Sequence, residues 1–516
     1  MQRSNSSNWK MRLLTISVLS YAAFFFAQPI NLATADLGRH IVNGELVTHG
    51  VKAILSTNYY SFTEPAQPFI NHHWASGVVF YLVHDLFGFK GLSVLYILLS
   101  LTALLLMVQG SKDRFGQTLP LLAAILVIPL FAYRVEVRPE GFSYVLLALY
   151  YYLFVRFRSG NLQVKWLLPM LISAQILWVN LHIFFFFGLA IAACFALDAL
   201  LNSRAALKHH VMILVSLLAA SLLNPHTYKG LLAPLTIFKE YGYMVAENQS
   251  VTFMLERFGS PQLVQFEVSA VVALVLIIFM VWKGLWKNLV AEILLVIAFG
   301  VLSAIAVRGI PLFAIFLIPL FSALSFHVIS KLNFKTKELW NSMLPWIGSA
   351  FCLLFIMVPN SYVSARKGYE GLGLIEGIDG CGKFLRAQQI PGRIFNNYDF
   401  GGYLIYHLHD RQKVFVDNRP EAYTVAFFDS IYKPMQEDDA IWRTKSEEYG
   451  INVIVFYRLD NTPWAQPFLI RRTQDPDWVA IYVDEVSLVL VKNRSENERL
   501  IRDFAKPRSM FQGVPN

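Results

Sequence analysis

Cysteine is nearly absent: the 516 residues hold three, Cys194, Cys352 and Cys381, too far apart for a disulfide framework or a zinc-type ligand set. Charge is scarce too, at 15% of residues, where ordinary soluble domains carry roughly 25%. Together with a 55% share of hydrophobic residues, that shortage excludes a soluble globular chain and points to a polytopic membrane protein. No internal repeat is present, and no glycine loop of the nucleotide-binding kind. The net charge of +9 has no basic stripe or nucleic-acid motif behind it. Most Lys and Arg stand in short links between apolar runs, where they set membrane topology, so the expected partners are membrane lipids and not nucleic acid.

What is abundant is the apolar run long enough to cross a bilayer, about 17 to 25 residues. Eleven spans are expected, at about 12–31, 90–110, 117–133, 141–157, 166–180, 183–201, 210–223, 263–282, 288–306, 310–328 and 341–359. A surface-lying helix is expected at about 75–88, and the third and fourth spans, joined by RVEVRPEG, should form a tight hairpin. Lys112, Arg114, Arg156, Arg158, Arg204, Lys283, Lys287 and Lys331 fall in alternate links, which puts the amino terminus in the cytoplasm and the carboxyl-terminal part outside an inner membrane. Arg3, Lys10 and Arg12 before the first run, with Ala33-Thr34-Ala35 after it, imitate a cleavable signal peptide; the run is long enough to remain as an anchor, and that reading is preferred. Residues 1–359 are thus expected as a transmembrane domain with a long first external loop at 32–74. Residues 360–516 are expected as a soluble, extracytoplasmic α/β domain, with strands at Arg393–Asn396, 403–407, 414–416, 453–456 and 479–491 and a helix at 436–449.

Charged residues near spans are costly, and those retained tend to line a working cavity. Here they gather on the external side: Asp36, Arg39, His40 and Glu45 in the first loop, Arg134, Glu136, Arg138 and Glu140 in the hairpin, and Arg308 before the tenth span. Asn180 and His182 end the fifth span on that side, and His72, His73 and Trp74 close the first loop. No comparable acidic set is expected on the cytoplasmic side. If 35–46 is helical, Asp36, Arg39, His40 and Asn43 share one face. Guanidinium forks match phosphate oxygens bidentately. A carboxylate beside arginine has a lowered pKa and stands ready to accept a proton, so Asp36 is expected ionised. These components fit transfer of a sugar from a lipid phosphate.

The strings D-L-G-R-H-I-x-N-G-E, N-H-H-W, R-P-E, W-V-N-L-H and R-G-I-P-L-F resemble bacterial members of the GT-C glycosyltransferases. GRIFNNYDFGGYLIYHL and KVFVDNRPEAY resemble the exported carboxyl-terminal domain often attached to them. That resemblance implies eleven to thirteen spans, a polyprenyl-phosphate-linked sugar donor and inverting transfer on the outer face, as in protein O-mannosyltransferases, oligosaccharyltransferases and the aminoarabinose transferase of lipid A. It implies that the first-loop acid, Asp36, acts as base or orients the acceptor, and that Glu140, with Arg138 beside it, is the second acidic position. Arg39, His40, Arg138 and Arg308 are then expected around the donor phosphate. Glu45, His72, His73, Trp74, Asn180, His182 and Arg134 are expected at the acceptor or behind these residues. The paired acidic motif of many members is a lone Asp36 after Ala35 here, which leaves a divalent metal open, and no cofactor is assigned.

Plainer readings stand beside these. Asp36 with Arg39 is also an ordinary i,i+3 helix pair. Arg138-Pro139-Glu140 is also a capped helix start, and His72, His73 and Trp74 also suit an interfacial anchor. Asp417-Asn418-Arg419 follows an expected strand and offers a site at its carboxyl end, but a fold-stabilising Asp–Arg turn is the preferred reading, and Asn396-Asn397-Tyr398-Asp399 likewise reads as a turn. For the chain as a whole, the alternatives to a glycosyltransferase acting on a lipid, glycan or protein acceptor are a transporter or flippase of a lipid-linked anion, or a non-catalytic assembly subunit.

Overall fold

The computed structural model describes residues 2–236, 241–358 and 371–511, with side chains from residue 9 onward. A helix stands at each of the eleven expected spans: α1 Gln2–Phe26, α3 Trp74–Phe115, α4 Thr118–Phe131, α5 Glu140–Arg158, α6 Val164–Leu181, α7 Phe186–Asn202, α8 Arg204–Ala220, α11 Pro261–Trp282, α12 Val290–Ile305, α13 Ile310–Ser330 and α14 Phe334–Met357. The segments between these helices add α2 Leu37–Thr48, α9 Tyr228–Leu232 and α10 Val251–Phe258. Among the described residues, seven helical stretches are long and apolar enough to cross a membrane. On α11, Val264, Val268, Val271, Val275 and Ile278 repeat at helical spacing and are all about half exposed, the pattern of a face turned to lipid.

The expected surface helix and second span are one long helix, α3, broken at Gly88, whose φ of +61° is open to glycine and strained for other residues. That break lets the amphipathic first half lie at a different angle from the apolar second half. The tight hairpin is not formed. The link at 132–139 carries the chain sideways, so that α5 lies along α3 while α4 lies along α13. Side chains, not loop length, choose the partner: Gly110 on α3 accepts the ring of Tyr151 from α5, and Gly141 on α5 accepts the ring of Tyr96 from α3.

The carboxyl-terminal part holds a four-stranded sheet, β1 Arg393–Asn396, β2 Ile451–Tyr457, β3 Trp478–Val483 and β4 Ser487–Lys492, in the order β1-β2-β4-β3. β1 and β2 are parallel, with Ile394 opposite Val453, and the other pairs are antiparallel. Every residue of β2 and β4 is buried, as in a sheet covered on both faces. Two expected strands are absent. Residues 403–407 lie in the helix Gly401–Leu408, and 414–416 make a single bridge from Val414 to Ser61. Periodicity could not separate the first from a strand, because all but one of its residues face protein.

The first loop and this carboxyl-terminal part share one core: Leu32, Ala33, Val42, Ile54 and Tyr60 pack with Ile378, Leu404, Ile405 and Val453. Polar seams reinforce it, with Asn58 donating to the Ala422 carbonyl at 2.9 Å and Thr424 donating twice to Glu64, at 2.7 and 2.8 Å. The expected domain boundary at 359/360 lies outside the described residues.

At the end of the bundle away from the first loop, an acidic set is present where none was expected. Glu292 on α12, fully buried, pairs with Arg114 at 3.1 Å and with Arg158, and Arg158 also reaches Asp198 on α7 at 3.0 Å. Two isolated acids in long apolar runs gave no sequence signal of that meeting.

Candidate functional site

α2 is wedged by its glycines. A Cβ on Gly44 would fall 2.0 Å from the Gly77 carbonyl oxygen of α3, and one on Gly38 would fall 2.9 Å from the Gly402 carbonyl oxygen. Backbones that close fix the helix between the membrane bundle and the outer sheet layer, and they fix what its first turn presents. Asp36 is the N-cap residue but makes no side-chain cap, so its carboxylate is free for other partners.

Those partners surround a cavity of about 390 Å³. Asp36 Oδ2 lies 3.3 Å from Arg138 Nη1 and 4.0 Å from Arg39 Nη2, and its Oδ1 accepts from Asn418 Nδ2. Arg39 Nε donates to Asn418 Oδ1 at 3.2 Å. Glu247, in the segment between α9 and α10, receives three guanidiniums: Arg134 at 2.7 Å, Arg138 at 2.9 Å and Arg308 at 3.7 Å. Glu140 lies 3.6 Å from Arg134 and 3.5 Å from Arg308, and Glu136 lies 2.7 Å from Arg138. Arg308 also donates to Asn248 Oδ1 at 3.1 Å. Four arginines are thus held by four carboxylates, which balances the cluster and leaves guanidinium edges at the cavity wall.

Of the residues expected from sequence, Asp36, Arg39, His40, Arg138, Glu140, Arg308, His72, His73 and His182 all line this cavity. Arg134 stands behind it, through its ion pairs. Glu45, Trp74, Asn180 and Asn43 do not join it. Glu45 lies 3.6 Å from His409 on the far side of α2. Trp74 Nε1 donates to Asn180 Oδ1 at 3.0 Å, and Asn180 donates to the Leu223 carbonyl at 2.9 Å, so this pair ties α3, α6 and the end of α8 together. Asn43, expected on the same face as Asp36, instead accepts from the Tyr60 hydroxyl at 2.7 Å inside the core.

One electrostatic expectation is corrected. The Asp36 carboxyl is raised above its ordinary value, because burial outweighs the pull of Arg138 and Arg39 and because Glu247 and Glu136 stand nearby. His40 is held well below its ordinary value by burial and by Arg39 and Arg138. It is neutral near pH 7 and brings no charge to a phosphate. Glu247 shows the opposite balance to Asp36: burial favours its neutral form, but Arg134, Arg138 and Arg308 hold it well below the usual carboxylate range.

The lining also includes Asn418, which the preferred turn reading set aside, and Glu247, Tyr241, Tyr398, Asp399 and Glu421, to which the sequence assigned no role. Burial and the nearby Asp460 and Asp36 push Asp399 up to about 7. The turn reading of 417–419 is half right. Asp417 and Arg419 form a buried pair at 2.6 Å that carries the loop, while Asn418 between them reaches Asp36 and Arg39. The available signals were the place of Asn418 just after an expected strand and the resemblance of KVFVDNRPEAY to an exported domain, and neither said that the segment faces the first loop. Among the described residues, no three of His, Cys, Asp or Glu are placed to hold a metal ion.

No family model matches the chain, and no curated protein matches it by sequence. Solved structures do match. The archaeal oligosaccharyltransferase AglB from Archaeoglobus fulgidus, in complex with an inhibitory peptide and a dolichol-phosphate, aligns with a TM-score of 0.61 at 12% identity, over 92% of this chain and 73% of that one. ArnT from Cupriavidus metallidurans bound to undecaprenyl phosphate aligns with a TM-score of 0.51 at 13% identity, over 95% of this chain and 99% of that one. ArnT in the apo state gives 0.54 at 12% identity, over 94% and 98%. At such identities the likeness speaks for architecture: this chain is a multi-pass membrane protein with the GT-C fold, carrying a small sheet in its carboxyl-terminal region.

Proposed function

We propose that the chain is an inverting glycosyltransferase that moves a sugar from a polyprenyl-phosphate carrier to an acceptor at the outer face of the membrane. The observation that carries this reading is the convergence of Arg134, Arg138 and Arg308 on one carboxylate, Glu247, with Asp36 on the other side of Arg138. A focus of three guanidiniums suits a phosphate, which takes the place of the Glu247 carboxylate when the donor enters. AglB and ArnT were solved with dolichol-phosphate and undecaprenyl phosphate, which supports a lipid phosphate as the donor's anchor.

In this reading the acceptor hydroxyl attacks the anomeric carbon opposite the phosphate, and Asp36 takes its proton. The bond from the anomeric carbon to the phosphate oxygen breaks, and the polyprenyl phosphate leaves with its new charge held by the arginines. Glu140 assists by orienting Arg134 and Arg308, and Arg39 with Asn418 orients Asp36. Residues 1–359 serve as the membrane part and 360–516 as an extracytoplasmic lid over the acceptor side, from which Asn418, Asp399 and Glu421 reach the cavity.

The transporter reading gains the charged groups at the far end of the bundle. It loses them again in the middle, where Phe299 stacks on Phe316 and Tyr151 stands edge-on to Phe316, all of them buried.

Purified protein in lipid nanodiscs, given a polyprenyl-phosphate-linked sugar, is expected to release polyprenyl phosphate and build a glycosylated product; lipid translocation without transfer would refute the enzyme. The pH profile of that transfer follows from Asp36. Its pKa is raised, so the ionised base is fully present only above that value and is lost earlier on acidification than an ordinary carboxylate. The acid limb is expected above the reference value of 3.8. Asp399→Asn, run in parallel, separates the contribution of that neighbouring acid.

A further inference from the structure

Four imidazoles at the cavity have no part in the steps above. His40 comes from α2, His72 and His73 from the segment before α3, and His182 from the residue after α6. His73 stands at the centre: its ring centroid is 5.4 Å from that of His40, 4.2 Å from that of His72 and 4.9 Å from that of His182, the last pair stacked. All four line the cavity. The wall also adjoins the phosphate focus, since the Phe184 ring lies 4.4 Å from His182 on one side and 5.2 Å from the Arg308 guanidinium on the other.

Hydrogen-bonding capacity is left open on this wall. His40 is 2% exposed, yet its Nδ1 has no partner among the described residues, and neither does the buried Nε2 of His73. A buried polar atom without a partner costs free energy that a ligand can recover by supplying one. At the far end the rings are anchored: Trp178 Nε1 donates to Ser143 Oγ at 2.8 Å, and Ser143 Oγ shares a hydrogen bond with His182 Nδ1, also at 2.8 Å.

The rings of the first loop are uncharged near neutral pH. Burial and the neighbouring Arg39 and Arg138 hold His40 far down. Burial and the adjacent histidines do the same to His73, and His72 is lowered to about 4, chiefly by burial. A neutral imidazole carries one donor and one acceptor, and a hydroxyl group can satisfy either. The wall rings carry no charge, so they offer neither an ammonium group nor a carboxylate a counter-charge, while each can donate to or accept from a hydroxyl.

We infer that this histidine wall is the sugar subsite, and that the ring it takes is uncharged and rich in hydroxyls. The inference rests on the glycosyltransferase reading, because the phosphate at the arginine focus is what places the sugar against the wall.

The test compares binding of three probes to the full chain in nanodiscs: polyprenyl phosphate alone, the same lipid carrying glucose, mannose or galactose, and the same lipid carrying glucosamine. At least one neutral hexose is expected to tighten binding about tenfold over the bare lipid, and glucosamine is expected to add nothing. His40→Phe combined with His73→Phe should remove the hexose increment and leave bare-lipid affinity within about twofold, which also shows that the variant is folded. Arg138→Ala should weaken all probes together. The inference falls if no neutral hexose tightens binding, if the histidine variant keeps the increment or loses bare-lipid binding in proportion, or if glucosamine binds as tightly as the hexoses. Absence of bare-lipid binding by the unaltered chain would overturn the glycosyltransferase reading itself, and the subsite with it.

Discussion

Asp36→Asn is expected to lower sugar transfer by about 10²- to 10⁴-fold, the usual contribution of a positioned general base. The amide has the size of the carboxylate and still accepts from Asn418 or Arg138 through its oxygen, but it cannot take a proton from the acceptor. Binding of the bare lipid phosphate should persist, because the three guanidiniums at Glu247 are untouched. The measurement is single-turnover transfer beside lipid affinity. A fall in both together would make Asp36 a binding residue, and unchanged transfer would remove it from the chemistry altogether.

Glu292→Ala is expected to destabilise the bundle by about 3 kcal/mol, the lower end of the cost of breaking a buried ion pair, because the two guanidiniums left behind are partly exposed. Glu292 is fully buried and takes Arg114 and Arg158 from two other helices, with the Tyr151 hydroxyl at 3.4 Å. Removal strands two guanidiniums at the ends of α3 and α5, with only Asp198 left for one of them. Thermal unfolding in detergent, followed by tryptophan fluorescence, checks this. Glu292→Gln should fall between the two, since it keeps the shape and loses the charge. An unchanged midpoint for the alanine variant would show that the cluster is not a clamp. The double replacement Glu292→Leu with Arg114→Leu should recover part of the loss, because the remaining Arg158 keeps Asp198 as its partner.

The two predictions sit at opposite ends of the bundle, and the sequence made one end far more visible than the other. Asp36, Arg39 and His40 lie within five residues of each other, and Arg134 to Glu140 within seven, so local spacing alone displays them as charged groups at span ends. Glu247 gave no such signal. It lies in a polar segment among Tyr241, Tyr243, Glu256 and Arg257, and nothing local separates the acid that meets three arginines from those that do not. Asn418 was hidden for another reason: it stands between Asp417 and Arg419, whose mutual ion pair accounts for the motif without it. Trp74 and Asn180 show the reverse error, residues typical of a site that bond to one another and hold helices instead.

Length and apolar content determined by themselves that the chain crosses a membrane, and the break between a surface helix and a span near Gly88 was legible because hydropathy changes there. These are local properties: a bilayer selects long apolar segments one at a time, whatever their later neighbours. Only the tertiary structure decided that α5 packs on α3 and not on α4, that residues 403–407 are helical, and that Asp36 meets Asn418 across 382 positions of chain. Those outcomes depend on contacts between surfaces distant in sequence, above all the glycine-to-backbone approaches that hold α2 in place. The same distinction governs the acids. Their positions are written in the chain, but whether burial raises one, as at Asp36, or arginines lower it, as at Glu247, is set by which groups the fold brings around each.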